Sequence, residues 1–441
     1  MAVPTSLTGE AAGGQQLAPL VVRPVVVVVV AAVLLGLTTV GFPLLAFSPM
    51  LFPSAGLAAL AAVLGFGAAA SGMILSGRLR AHAPALVFAA LALGSVAWSV
   101  APRDSLDAAG FLGLCLLGYV CASELRTDAA RRLVLSTLAG LAAFQALVAV
   151  AQQLLPAANP PGWLDHRAFP AILTRSAGTV FDPNRLGALL VLGLPAALAL
   201  SVGQRRPARL AIYLLAALVG LGLVFTYSRA AWLGAVVALA AWLVLSGRGA
   251  ARRHWRWAVV GFLLSAVLAA LLAWLPARQR ALSVVEDGDS SLASRVAVWR
   301  DALGVIAERP LLGAGLDAFQ EARLAHLNET SALLPCRQAH NELLGLAADL
   351  GLLGAAAFLW LVAAALARGF RHWRGEGVSA APAGVAGLLG LLATGAFEST
   401  LNARYLPVIA AFWLMLGLLA SLPQPGGAQA SAGAAEGSLE G

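Results

Sequence analysis

The sequence predicts an all-α polytopic membrane protein of about twelve transmembrane helices, with a long outer loop that contains amphipathic helices. Three observations lead there. Of the 441 residues 60% are hydrophobic and only 11% charged, against about 25% charged in an ordinary globular protein, so most of the surface faces something other than water. The apolar residues come in runs long enough to cross ~30 Å of hydrocarbon. The cations, all 29 of them arginine, concentrate in the short connections on one side. This pattern excludes a string of soluble domains. The formal charge of +8 suits anionic headgroups or substrates, but the arginines do not cluster on one soluble face as a nucleic-acid binder requires. Cys115, Cys121 and Cys336 cannot build a disulfide scaffold. The absence of lysine excludes a Walker loop, and with it ATP-driven transport by this chain alone.

The elements follow in order. Residues 1–23 read as a cytoplasmic tail without a cleavable signal peptide. Residues 24–275 carry nine spans, at 24–41, 54–75, 84–101, 109–123, 133–154, 186–202, 210–226, 230–246 and 257–275, with an outer loop at 156–185. A large outer loop occupies 276–339. Three further spans, at 340–367, 380–397 and 405–421, complete the set, and 422–441 is a disordered tail rich in Gly, Ala, Ser and Pro. With the N-terminus inside, sixteen arginines fall on the inner side and thirteen outside, most of the latter in the two long loops to which the positive-inside rule does not strictly apply. Both termini are therefore placed in the cytoplasm and both long loops in the periplasm or exterior.

Polar residues interrupt this pattern at a few places. A continuous helix over 210–246 would have 37 residues and run ~55 Å, too long for the bilayer, so the chain turns at Tyr227-Ser228-Arg229. Arg229 then sits at the outer boundary, either snorkelling as an anchor or contacting an anion. Asn184 is a plausible N-cap of the next outer helix start, and the free amides there, with Arg185 beside them, can hold a phosphate. In the large loop Leu292, Val296, Trp299, Leu303 and Ile306 share one helical face, which predicts an amphipathic helix closed by Pro310, with Arg295 bordering the stripe. Arg295 points either to solvent or to a cleft. Glu286-Asp287-Gly288-Asp289 superficially matches an acidic metal motif, although a solvated turn explains it as well. His340 opens the tenth span, where the positive helix end disfavours protonation and leaves a neutral base near pH 7. Asp349 follows ~13 Å further along that helix, an acid at membrane depth that calls for a partner or a function. His82, His254 and His372 fall in inner loops, and His166 and His326 in outer loops.

Taken together, Tyr227-Ser228-Arg229, Ser294-Arg295 with Trp299, Pro310-Leu311-Leu312-Gly313-Ala314-Gly315-Leu316-Asp317-Ala318-Phe319, His340-Asn341 and Asp349-Leu350-Gly351-Leu352-Leu353-Gly354 resemble the O-antigen ligase and polymerase superfamily of bacterial inner-membrane glycan transferases. The resemblance covers roughly 180–420. It implies transfer of a glycan from an undecaprenyl diphosphate carrier to lipid A-core or another glycan acceptor at the periplasmic face, with no metal and no other cofactor. His340, Arg295 and Arg229 match the family's catalytic positions. Arg185, Asn184, Arg337, Asn341 and Asp349 are the accompanying substrate-binding candidates, with Asn341 as a possible orienter of His340. The residues fit that chemistry on their own terms, because arginine is permanently charged and binds phosphate through paired hydrogen bonds. The alternatives are a polysaccharide polymerase or protein O-oligosaccharyltransferase of the same superfamily and, outside it, an anion transporter or a non-catalytic scaffold.

Overall fold

The computed structural model describes residues 55–155, 172, 174–246, 290–333, 336–373, 380–401 and 406–423, and its regular elements are all helical. The expected spans at 24–41 and 257–275, the acidic turn at 286–289, His166, His254 and both chain ends lie outside the described residues. The long helices are α1 (Ala55–Leu75), α2 (Leu79–Gly94), α3 (Pro102–Ser123), α4 (Asp128–Leu154), α5 (Pro183–Leu200), α6 (Arg206–Phe225), α7 (Arg229–Ser246), α8 (Ser290–Glu308), α9 (Glu342–His372), α10 (Ala380–Gly395) and α11 (Leu406–Ala420). All but α8 fall on predicted spans. Seven are long and apolar enough to cross a membrane, while α1, α10 and α11 provide shorter apolar helices.

Helix α5 stands at the centre, buried along nearly its whole length and packed against α4, α6, α7, α10 and α11. Small residues let the other helices close around it. Gly234 in α7 and Gly390 in α10 meet so closely that a methyl group on Gly390 would lie 2.7 Å from the Gly234 carbonyl oxygen. Close approach through small residues is how helices associate in lipid, where apolar surface alone provides no driving force.

One end of the bundle is closed by arginines. Arg131 donates to the Ser421 carbonyl at 2.9 Å, Arg368 to the Ala420 carbonyl at 2.7 Å and Arg78 to the Ser123 carbonyl at 3.1 Å. These carbonyls lie at the C-terminal ends of α11 and α3, where the helix dipole favours cations.

Several boundaries differ from the sequence expectation. Helix α2 begins at Leu79, ahead of Pro84, which brings His82 out of the expected inner loop and into a helix, fully buried with Nδ1 3.0 Å from the Tyr119 hydroxyl. Helix α3 begins at Pro102 rather than 109, because Pro102 at its start, Asp104 in the first turn and an Arg103–Asp107 ion pair at 3.3 Å sustain helix beyond the apolar run. His372 is the last residue of α9 rather than a loop residue.

Two larger corrections bear on the site. Helix α8 turns a different face inward than the expected stripe, for Val296 and Leu303 are exposed, whereas Val298, Ala302 and Val305 pack with Ala314, Phe319, Ala339 and Ala348. Small side chains allow the helix to lie close against its support, and Arg295, three residues before Val298, shares that inward face. Helix α9 is not continuous. At Gly351 the backbone takes φ 69° and ψ −178°, a conformation essentially reserved for glycine. The 310–315 segment lies alongside the break. Ala314 N–H donates to the Ala348 carbonyl at 2.9 Å, Gly315 N–H to Asp349 at 2.8 Å, and Leu352 N–H to Pro310 at 2.8 Å.

Candidate active site

At the end of the bundle opposite the arginine-bound carbonyls, a cavity of about 170 Å³ is lined by residues of several separate segments. The turn between α6 and α7 supplies Tyr227, Ser228 and Arg229, as the length argument requires. Helix α8 supplies Ser294 and Arg295 from its inward face. The segment before α9 supplies Cys336 and His340, the loop before α5 supplies Arg175, and the first turn of α5 supplies Asn184.

Arg175 is placed by an unusual stretch of chain. Residues 174–179 have little regular structure, and glutamines of α4 hold them: the Gln152 side-chain oxygen accepts from Ala177 N–H at 3.1 Å and Gly178 N–H at 2.9 Å, while Gln145 binds Thr179. From there Arg175 donates to the Thr226 carbonyl at 2.9 Å and to Asn184 Oδ1 at 2.8 Å.

The expected cap of α5 is corrected. Asp182, not Asn184, accepts the first helix amides, from Asn184 N–H at 2.8 Å and Arg185 N–H at 3.2 Å, with Pro183 in the first turn. Asn184 is thereby free to join the site, and its side-chain amide donates to Glu398 Oε2 at 2.7 Å.

Glu398, just past α10, is with Arg175 one of two site residues that sequence reasoning missed. Its Oε1 lies 2.7 Å from His340 Nδ1, and its Oε2 accepts from Arg295 at 3.3 Å as well as from Asn184. One buried carboxylate thus joins three segments far apart in sequence. The available signal was an acid at the outer edge of the eleventh span, but nothing local names its partner. His340 itself stands at φ 51° and Tyr227 at φ 49°, in the left-handed region that side chains other than glycine seldom enter.

This geometry overturns the expected neutral imidazole. The charge of Glu398, against the opposing effect of burial, raises the affinity of His340 for a proton above the ordinary imidazole value. For Glu398, burial alone would raise the carboxyl; the charge and hydrogen bond of His340, with the charges of Arg295 and Arg185, instead bring it well below the usual range. The resting pair is an imidazolium facing a carboxylate. The helix end contributes only about 0.3–1 kcal/mol, less than one pKa unit, so the contacting charge prevails. Cys336 Sγ lies 3.9 Å from His340 Nε2. Burial pushes this thiol up, but the hydrogen bond and charge of His340 and the charge of Arg323 bring it below the ordinary thiol value.

The remaining candidates are placed beside the cavity or beyond it. Arg185 pairs with Asp182 at 3.4 Å and donates to Gln338 at 3.3 Å. Arg337 and Asp349 line a separate, aromatic-floored cavity on the other side of the 336–340 segment. There Asp349 accepts from Phe319 N–H at 2.8 Å, so its partner is the turn that follows the 310–315 segment. Asn341 caps α9 through Leu344 N–H at 3.0 Å and donates to the Ala396 carbonyl, leaving the orientation of His340 to Glu398. Among the described residues no group of three or more His, Cys, Asp or Glu side chains is arranged to hold a metal ion.

Residues 214–359 match a family model described as O-antigen ligase. The chain carries a domain of the O-antigen ligase superfamily. The matched segment holds Arg229, Arg295 and His340, whereas Arg175 and Asn184, which line the cavity, and Glu398, which contacts His340 behind it, lie outside the match. No curated protein matches the chain.

Proposed function

We propose that the protein is an O-antigen ligase-like glycosyltransferase that moves a glycan from undecaprenyl diphosphate to lipid A-core at the periplasmic face of the inner membrane, with both termini in the cytoplasm. The convergence of Arg175, Arg229, Arg295 and His340 on one cavity at one end of the bundle is the observation that carries this reading. The diphosphate of the donor carries two negative charges and gains a third as it leaves, and permanently charged, fork-shaped guanidinium groups suit it. Arg229 and Arg295 orient the donor and stabilise the departing anion, helped by Arg175; neither a metal nor another cofactor is assigned a part.

In the transfer step the acceptor hydroxyl oxygen attacks the anomeric carbon from the face opposite the diphosphate. The carbon–oxygen bond to phosphate breaks, its electron pair stays on the diphosphate, and the configuration at carbon inverts. His340 Nε2 takes the hydroxyl proton. Because the resting imidazolium already carries a proton of its own on Nε2, it must first release that proton to solvent. A cavity at one end of the bundle favours this reading over transport, which generally binds its cargo near the midplane.

The test is to supply purified protein with an undecaprenyl diphosphate-linked glycan, with and without lipid A-core, and to resolve the products on a gel. A single larger lipid A-core species that depends on acceptor and is lost in His340→Ala supports the ligase. A ladder formed without acceptor makes the protein a polymerase of the same superfamily, and transfer only to a protein acceptor makes it an oligosaccharyltransferase.

A further inference from the structure

We infer that Glu398 is the positioning residue of this site: one oxygen holds the His340 ring with Nδ1–H toward it and Nε2 toward the cavity, while the other tethers Arg295 and Asn184. The inference rests on the transfer reading for its kinetic consequences, but the geometry on which it stands does not depend on that reading.

A merely structural role fits Glu398 poorly. The connection that follows it, Ser399-Thr400-Leu401, is held by a different acid. Glu342 accepts from Thr400 N–H at 2.7 Å and from Leu401 N–H at 3.1 Å. The bonds described for Glu398 run instead to three side chains of the cavity. Burying a carboxylate costs several kcal/mol unless its partners compensate. Here the partners are groups aimed at a common space. A carboxylate can only accept, so Nδ1 must be the donor, and Nε2 is the nitrogen left to face Cys336 and the cavity.

The charges around His340 set its proton affinity from every side. Glu398 lies on Nδ1, and the Cys336 thiol faces Nε2. Arg295 comes from α8, Arg229 and Tyr227 from the α6–α7 turn, and Arg175 from the loop before α5. Arg185 and Asp182 pair at the start of α5, and Arg323 lies behind Cys336, donating to its carbonyl at 2.9 Å. Glu398 is the anion in direct contact with the ring, so its removal lowers the proton affinity of His340, and the surrounding arginines add to that fall.

The experiment uses the full-length protein with Cys115 and Cys121 replaced by serine, and compares Glu398→Gln, Glu398→Asp and His340→Ala. The first readout needs no turnover. Alkylation of Cys336 by iodoacetamide is followed against pH, because the imidazolium at 3.9 Å favours the thiolate. In Glu398→Gln the alkylation midpoint moves to higher pH, by about one unit. Glu398→Asp recovers part of that shift. The second readout is transfer from the lipid diphosphate donor. Glu398→Gln lowers kcat about 10²-fold and moves the rising limb of the pH profile to lower pH, with KM for the donor changed far less. An alkylation midpoint that stays in place, or a kcat in Glu398→Gln equal to that of the parent, overturns the inference. A shifted midpoint in a protein that transfers to no acceptor upholds the positioning role while sinking the transfer reading. Retention of the parent melting temperature in Glu398→Gln separates either result from unfolding.

Discussion

His340 sits one residue before the cap of α9 at φ 51°, a position whose strain of about 1–3 kcal/mol must be sustained by its surroundings. Its ring then meets Glu398 behind and the cavity in front. Replacing it with alanine is expected to lower transfer about 10²-fold or more at unchanged membrane levels, measured as conversion of lipid-linked donor. The proton balance adds a pH prediction. Because Glu398 raises the proton affinity of His340 and the unprotonated ring is the base, kcat/KM for transfer rises with pH through a value above the ordinary imidazole pKa of about 6.5. A profile that falls over that range would show that the imidazolium is the working form. Cys336, with a thiol whose proton is held less tightly than usual in an arginine-lined space, is expected to react faster with an anionic thiol reagent than with a cationic one of equal size, and its modification blocks transfer.

At the scale of elements, two features place the chemistry. Helix α8 brings Arg295 to Glu398 because its inward face is built from Val298, Ala302 and Val305, none larger than valine, while Val296 and Leu303 look outward. Leucine in place of Ala302 would push that face away, and the expected outcome is weaker donor binding, read as a raised donor KM, with kcat reduced less. The break at Gly351 is equally specific. A methyl group there would strike the Leu311 carbonyl, and the φ of 69° with an extended ψ is costly for alanine. Gly351→Ala is expected to destabilise the protein by about 1–3 kcal/mol, read as a lower melting temperature or reduced membrane accumulation. A variant as stable as the parent would mean that the 310–315 segment does not depend on this break.

At the scale of the molecule, arginines serve opposite tasks at the two ends. Arg78, Arg131 and Arg368 bind helix-end carbonyls at one end, whereas Arg175, Arg229 and Arg295 surround a cavity at the other. Periplasmic placement of the cavity predicts that a membrane-impermeant thiol reagent labels Cys336 in spheroplasts, whereas a cysteine at Ser76 is labelled only after the membrane is opened. The reverse pattern would invert the orientation.

The sequence by itself determined the helical class, because hydrophobic run length is local information and the bilayer converts it directly into spans. It also determined the turn at Tyr227-Ser228-Arg229, since no helix of that length fits between two surfaces. The inward face of α8 was not legible, because two apolar stripes compete on that helix and only packing against Phe319 and Ala348 selects between them. The break in α9 was not legible either, since Gly351 reads as an ordinary glycine until the Pro310 and Leu311 carbonyls lie beside it. Tertiary structure alone decided the charge of His340. Its nearest anion is 58 residues away in sequence, and proton affinity depends on distance in space, which no spacing or periodicity along the chain records.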